Sequence, residues 1–177
     1  IILPTVHGMA EDGIVYTGFL YAGLMIDKQG NPRVVEFNCR LGDPETQPIM
    51  LRLKTDFITL LDHAVNGTLN LTEAEWDRRA ALGVVIAAGG YPDNPRKGDG
   101  ISGLPKPNEH GLVFHAGTKL DGKNVIVNGG RVLCATALGV NVKQAKQYAY
   151  ELAESIKFDG MHMRRDIGWR AMPGAKK

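Results

Sequence analysis

The sequence predicts an α+β fold: an antiparallel hairpin followed by helices, then a small β-rich domain closed by one helix. Three observations carry that prediction. Two apolar runs, residues 17–26 (TGFLYAGLMI) and 33–38 (RVVEFN), flank the turn-forming Asp27-Lys28-Gln29-Gly30-Asn31-Pro32. Apolar residues then recur at steps of three and four from Ile49 to Ala64. Beyond residue 80, short apolar strands alternate with Gly- and Pro-rich turns until Asn141 opens another helical stretch.

The elements follow in order. After the hairpin, Gly42, Asp43, Pro44 and Thr46 supply turn and cap residues. Ile49, Met50, Leu53, Phe57, Leu60, Leu61 and Ala64 read as one continuous helix, stopped by Asn66-Gly67. A start at Asp43 would leave Pro48 without an N–H that the helix needs. Thr46 as cap, with Pro48 inside the first turn, avoids this. Thr72 with Glu75 forms a capping box for a short helix ending near Arg79. LGVVIAA, at 82–88, is a buried strand, and 93–107 is a loop. Further strands are expected at Leu112–Ala116, Val125–Val127 and Arg131–Leu138, with Asn128-Gly129-Gly130 as the hairpin turn of the last pair. Asn141 caps a helix that places Val142, Ala145, Ala149, Leu152, Ala153 and Ile156 on one face. The expected division is 1–79 for the hairpin-and-helix block, 80–172 for the β-rich domain and 173–177 for a frayed basic tail.

Composition excludes several classes of function. The 177 residues carry 21 Lys+Arg against 19 Asp+Glu, so no broad basic field serves nucleic acid or an anionic membrane. The longest apolar stretches, such as Leu82–Ala88, fall far short of the ~20 residues that cross a bilayer. Two cysteines, Cys39 and Cys134, are too few for a disulfide scaffold and read as reduced thiols of a cytoplasmic protein. There is no signal-peptide pattern, and the chain opens on Ile1 rather than Met, which reads as a piece of something longer.

The densest polar cluster runs from Glu36 to Glu45. Alternate residues of a strand share a face, so Glu36 and Asn38 point one way, joined by Arg40 if the strand runs that far, with same-face neighbours roughly 6.5–7 Å apart. A carboxylate and an amide oxygen are hard donors suited to Mg²⁺ or Mn²⁺ held together with phosphates. The planar fork of Arg40 would meet an anion carried by that metal. The plainer reading is an edge strand with one solvated face. Val34, Val35 and Phe37 instead predict a buried strand, and such polarity running out of a buried strand marks a site. Gly89-Gly90 lacks the Lys-Ser/Thr of a phosphate loop and reads as a tight turn. His110 and His115 have no matching ligand pattern.

Glu36 through Gln47 (EFNCRLGDPETQ) resembles the signature segment of the phosphoribosylamine–glycine ligase family. YTGFLYAGLMI, LGVVIAAGGYP, VFHAGTKL, NGGRVLCATALG and RRDIGWRA are similar to further segments of that family, so the resemblance spans nearly the whole chain. It implies the second half of an ATP-grasp core followed by the family's C-terminal domain. The implied reaction joins glycine to 5-phosphoribosylamine through a glycyl phosphate, with ATP as co-substrate. By the same resemblance Glu36 and Asn38 are the metal ligands for Mg²⁺ or Mn²⁺, and Arg40 steadies the acyl phosphate. Asp43 and Glu45 contact the substrate amine or ribose, or else only shape the turn. Lys119 and Arg131 hold the ribose 5′-phosphate by analogy with a related enzyme, solvated strand-end charges being the other reading. Many ATP-grasp enzymes carry another acidic ligand on the preceding strand. Tyr21–Met25 has none, which leaves two protein ligands.

The implied partners are small molecules only (ATP, glycine and 5-phosphoribosylamine), with no nucleic acid and no membrane, in a cytoplasmic monomer. The N-terminal and lid domains of the family are not found in this sequence, so the 177 residues alone are expected not to turn over. Another ATP-grasp carboxylate–amine ligase, or a non-catalytic assembly module, are the alternatives.

Overall fold

The computed structural model describes residues 1–172, so the expected tail at 173–177 lies outside the described residues. The chain divides into two units. One comprises residues 1–46 and 55–75, the other 47–54 and 76–177.

The first unit opens with α1 (Ile2–Glu11), a helix that the sequence reading did not anticipate. Pro4 and Gly8 argue against a helix by propensity. Pro4, however, falls in the first turn, where backbone N–H groups have no intrahelical partner to lose. The expected hairpin follows as β1 (Tyr21–Ile26) and β2 (Pro32–Asn38), paired antiparallel. Asp27 closes the turn by accepting from the backbone N–H groups of Gln29 at 3.0 Å and Asn31 at 2.8 Å. The register slips between Gly23, opposite Glu36, and Leu24, opposite Val34, so Val35 bulges without a partner. The expectation of a buried strand fails. Val34, Val35 and Phe37 are 46%, 67% and 42% exposed. Apolar composition sets only a strand's preference for cover, and among the described residues this is a two-stranded ribbon.

The single helix expected from Thr46 to Asn66 is in fact two. α2 (Thr46–Arg52) belongs mainly to the second unit and α3 (Phe57–Val65) to the first. Two contacts break it, one local and one distant in sequence. Asp56 caps α3, its carboxylate accepting from the Thr59 backbone N–H at 2.8 Å. Leu53 bridges to Trp76, while the Arg52 carbonyl accepts from Asp77 N–H at 2.7 Å. The Thr72–Glu75 capping box also forms no helix. Thr72 is extended after a 3₁₀ turn at Leu69–Leu71, and the Glu75 N–H donates to the Thr55 hydroxyl at 2.6 Å. The polar spacing was right for a cap, but contacts distant in sequence took the same groups.

In the second unit β3 (Ala80–Ala87) and β4 (Gly111–His115) flank β7 (Arg131–Gly139) in an antiparallel sheet of order β3-β7-β4. Leu82, Val84 and Ile86 stand opposite Ala137, Ala135 and Leu133. That face is covered by α4 (Val142–Ser155) through Ala145, Ala149, Leu152 and Ala153, with Ile156 following. Small alanines let the helix approach the sheet closely. Asn141 caps α4 as expected, accepting from the Gln144 N–H at 3.0 Å. Asn128-Gly129-Gly130, expected as a hairpin turn, instead passes between sheets. β6 (Asn124–Val127) pairs with β5 (Thr118–Asp121), a short strand that was not foreseen. None of the described helices is long and apolar enough to cross a membrane, and neither cysteine forms a disulfide.

Asp77 links α2 to the entry of β3. Its carbonyl accepts from Arg52 Nε at 3.1 Å and Nη2 at 3.0 Å. Its carboxylate takes the Arg79 backbone N–H and guanidinium, the latter at 2.7 Å. These bonds favour the charged form and lower the Asp77 pKa from 3.8 to about 2. The stabilisation is therefore complete above the unfolded value and lost as pH falls through the folded one. Asp77→Asn should destabilise the protein at neutral pH. It should also flatten the stability loss between about pH 4 and pH 2 that wild type shows in urea unfolding.

Candidate functional site

The sequence places Glu36 and Asn38 on one side of β2, beyond the bulge, and the hairpin register puts Gly23 and Tyr21 directly across from them. Gly23 leaves the room that the Glu36 side chain uses. A Cβ there would meet Glu36 Cγ at 3.0 Å. Asn38 is half-buried, and its Nδ2 is buried with no hydrogen-bond partner. An orphaned amide of this kind is costly inside a protein, and rotation about one bond exchanges its nitrogen for its oxygen. The donor set of one carboxylate and one amide, with one member left unsatisfied, fits a hard divalent cation. Among the described residues no group of three or more His, Cys, Asp and Glu side chains could hold a metal. Any cation here would rely on this smaller pair and on oxygens from elsewhere.

Beyond β2 the chain bends at Cys39 and Arg40. Arg40 is exposed, its Nη1 donating to the Leu41 carbonyl at 3.0 Å. Gly42 is buried, and a Cβ there would lie 2.4 Å from Glu45 Oε2 and 3.0 Å from Tyr21 Cε2. The glycine thus lets the Glu45 carboxylate and the Tyr21 ring close over the bend. The Asp43–Pro44 peptide is cis, Asp43 is exposed, and Thr46 opens α2 with its N–H donating to the Gly42 carbonyl at 3.0 Å. Tyr21 Oη donates to Glu45 Oε1 at 3.4 Å. The Glu45 charge, then partial desolvation and this hydrogen bond, raise the Tyr21 phenol above its usual 10.0. Glu36 adds to the effect and Arg40 opposes it.

Five of the seven expected site residues therefore lie in one unit, on or just after one strand, and Tyr21 joins them. Nothing in the local sequence of β1 marks Tyr21 as a member of this cluster. Its place opposite Asn38 is a matter of register, which local sequence does not state. Lys119 and Arg131 belong to the other unit. Lys119 is on β5, opposite Ile126, and Arg131 opens β7, its Nε donating to the Tyr91 hydroxyl at 3.0 Å. They do not flank a common hairpin, because β6 turns back to β5 while β7 joins the larger sheet.

Comparison with known proteins divides the chain in a similar way. Residues 1–46 match the family description "Phosphoribosylglycinamide synthetase, ATP-grasp (A) domain", and 81–170 match "Phosphoribosylglycinamide synthetase, C domain". A phosphoribosylamine–glycine ligase of Yersinia pestis is 58% identical over 99% of this chain and 42% of its own length. That of Salmonella typhimurium is 62% identical over 97% of this chain and 41% of its own. A crystal structure of phosphoribosylamine–glycine ligase from Thermotoga maritima superposes with a TM-score of 0.77 at 39% identity. It covers 92% of this chain and 40% of that one. The chain thus spans about two-fifths of the length of the relatives it matches.

The Tyr21–Glu45 contact makes a direct prediction. Glu45→Gln removes the neighbouring negative charge, so the Tyr21 phenol should titrate lower than in wild type and closer to 10.0. An ultraviolet difference titration against Tyr21→Phe, which isolates this phenol from the other tyrosines, reads the change. An unmoved titration would mean that Glu45 does not sit beside Tyr21 in solution.

Proposed function

Since the chain belongs to the phosphoribosylglycinamide synthetase family, we propose that it is part of an ATP-dependent ligase. The enzyme joins glycine to 5-phosphoribosylamine through a glycyl phosphate, releasing glycinamide ribonucleotide, ADP and phosphate. The observation that carries this reading is the Glu36–Asn38 pair, with Glu36 over Gly23 and Asn38 opposite Tyr21, and Arg40 two residues further on. Phosphoryl transfer depends on positioning and on neutralising charge, and this corner of the hairpin offers both.

Each residue has a role in this reading. Glu36 and Asn38 would hold Mg²⁺ or Mn²⁺, which when bound neutralises phosphate charge. Arg40, on an exposed bend, presents its guanidinium to the acyl phosphate and steadies the oxygens that leave when the amine attacks the acyl carbon. Asp43 and Glu45 face the substrate amine or ribose, with Tyr21 keeping the Glu45 carboxylate in place. Lys119 and Arg131 hold the ribose 5′-phosphate. The two thiols and the absence of a membrane-spanning helix among the described residues agree with a cytoplasmic setting.

The test is ADP release by a chain of the relatives' full length carrying these residues. Glycine and phosphoribosylamine are each omitted in turn. Release that needs both substrates supports the ligase. Release that ignores either one points to another ATP-grasp reaction. Glu36→Ala and Arg40→Ala should each lower kcat by about a hundredfold or more. An unaffected Glu36→Ala would favour a non-catalytic module. The 177 residues alone, about two-fifths of the relatives' length, should show no turnover.

A further inference from the structure

At the end of the larger sheet where β3 stops and β7 begins, three glycine-containing loops are tied together by their backbones. The Ala88 N–H donates to the Gly130 carbonyl at 2.9 Å, and the Gly117 N–H donates to the Arg131 carbonyl at 2.8 Å. The Asn128 N–H donates to the Gly117 carbonyl at 2.7 Å. Tyr91 sits half-buried in this knot. Its N–H donates to the Ala88 carbonyl at 3.1 Å, and its ring centroid is 6.5 Å from that of His162. The ring lies directly against Gly130, where a Cβ would be 2.4 Å from Tyr91 Cδ2 and 2.8 Å from Cε2. Only a glycine at 130 leaves the ring where it is. The ring so held sends its hydroxyl to the side chain of the next residue, accepting from Arg131 Nε at 3.0 Å.

An arginine at a strand end is long and flexible, and gripping a phosphate with its fork costs it that freedom. A bond to Nε sets the plane of the guanidinium before any ligand arrives, so that cost no longer falls on binding. We propose that Tyr91 is the positioning residue of the phosphate site, orienting Arg131 toward the ribose 5′-phosphate. This rests on the reading of Arg131 as a phosphate contact. It adds the residue that sets the guanidinium plane and the glycine that makes room for that residue.

The experiment uses the enzyme at its relatives' full length and compares 5-phosphoribosylamine with ribosylamine, the same amine without its phosphate. The readout is the ratio of the two kcat/KM values. Tyr91→Phe keeps the ring and removes the acceptor. It should reduce the preference for the phosphorylated amine about five- to tenfold. The loss should appear in KM for that substrate, with kcat and the KM values for ATP and glycine unchanged. Arg131→Ala should reduce the preference about a hundredfold. Adding Tyr91→Phe to Arg131→Ala should then cost nothing more, because the tyrosine acts only through the arginine. If Arg131→Ala collapses the preference while Tyr91→Phe leaves it intact, the role of Tyr91 is refuted and the phosphate reading stands. If Arg131→Ala itself leaves the preference unchanged, the phosphate reading fails, and this inference with it.

Discussion

Burial of β7 is the constraint on which the second unit depends. Every residue from Val132 to Gly139 is buried, and the strand is paired on both edges. A strand in that position has all its backbone groups committed and both faces covered. Its neighbours must therefore bring matching surfaces. Leu82, Val84 and Ile86 extend the face beneath α4, while Gly83 leaves space on the other side for Cys134, Thr136 and Pro48. Arg131 is the exposed first residue of the same strand. Its main chain is anchored by the sheet and its guanidinium by Tyr91, so a charge at the surface inherits its placement from the core.

The hairpin works by a different logic. It has little burial to hold it, and its organisation comes from register and from missing side chains. One bulged residue, Val35, sets which positions of β2 stand over β1. Gly23 and Gly42 then leave the spaces that Glu36, Glu45 and Tyr21 occupy. The cluster is polar and mostly open to solvent, which suits residues that must meet a ligand. Precision here comes from backbone geometry rather than from packing.

Much of this was legible in the residues, and the exceptions share a cause. The hairpin, β3, β7 and the Asn141-capped α4 were foreseen because each declares itself within its own segment, by a turn, an apolar run or a periodic face. The family was legible as well, because RLGDPETQ is a local string. The break between α2 and α3 was not. The helical periodicity continues through it, and what stops the helix is Asp56 capping the next turn and residues 76–77 pairing with 52–53. The Thr72–Glu75 box failed for the same reason, since Thr55 took the Glu75 N–H. α1 was hidden by a proline and a glycine that a first turn and an exposed helix tolerate. β5 was missed because four residues with one apolar side chain carry no pattern.

For the candidate site, the sequence by itself determined which groups stand close together: a carboxylate and an amide two residues apart, an arginine two further on, and acids in the turn beyond. These follow from residue types at short spacings, which the backbone converts directly into shared faces. Only the tertiary structure decided what stands beside them. Tyr21 meets Glu45 across 24 positions and Tyr91 meets Arg131 across 40, by register and by loops converging at a sheet end. Tertiary structure also decided that the apolar side chains of β2 stay exposed and that Lys119 and Arg131 lie on separate sheets. Local sequence sets the preferences of each segment. Which partner satisfies them is settled only when distant segments compete for the same backbone groups and the same surface.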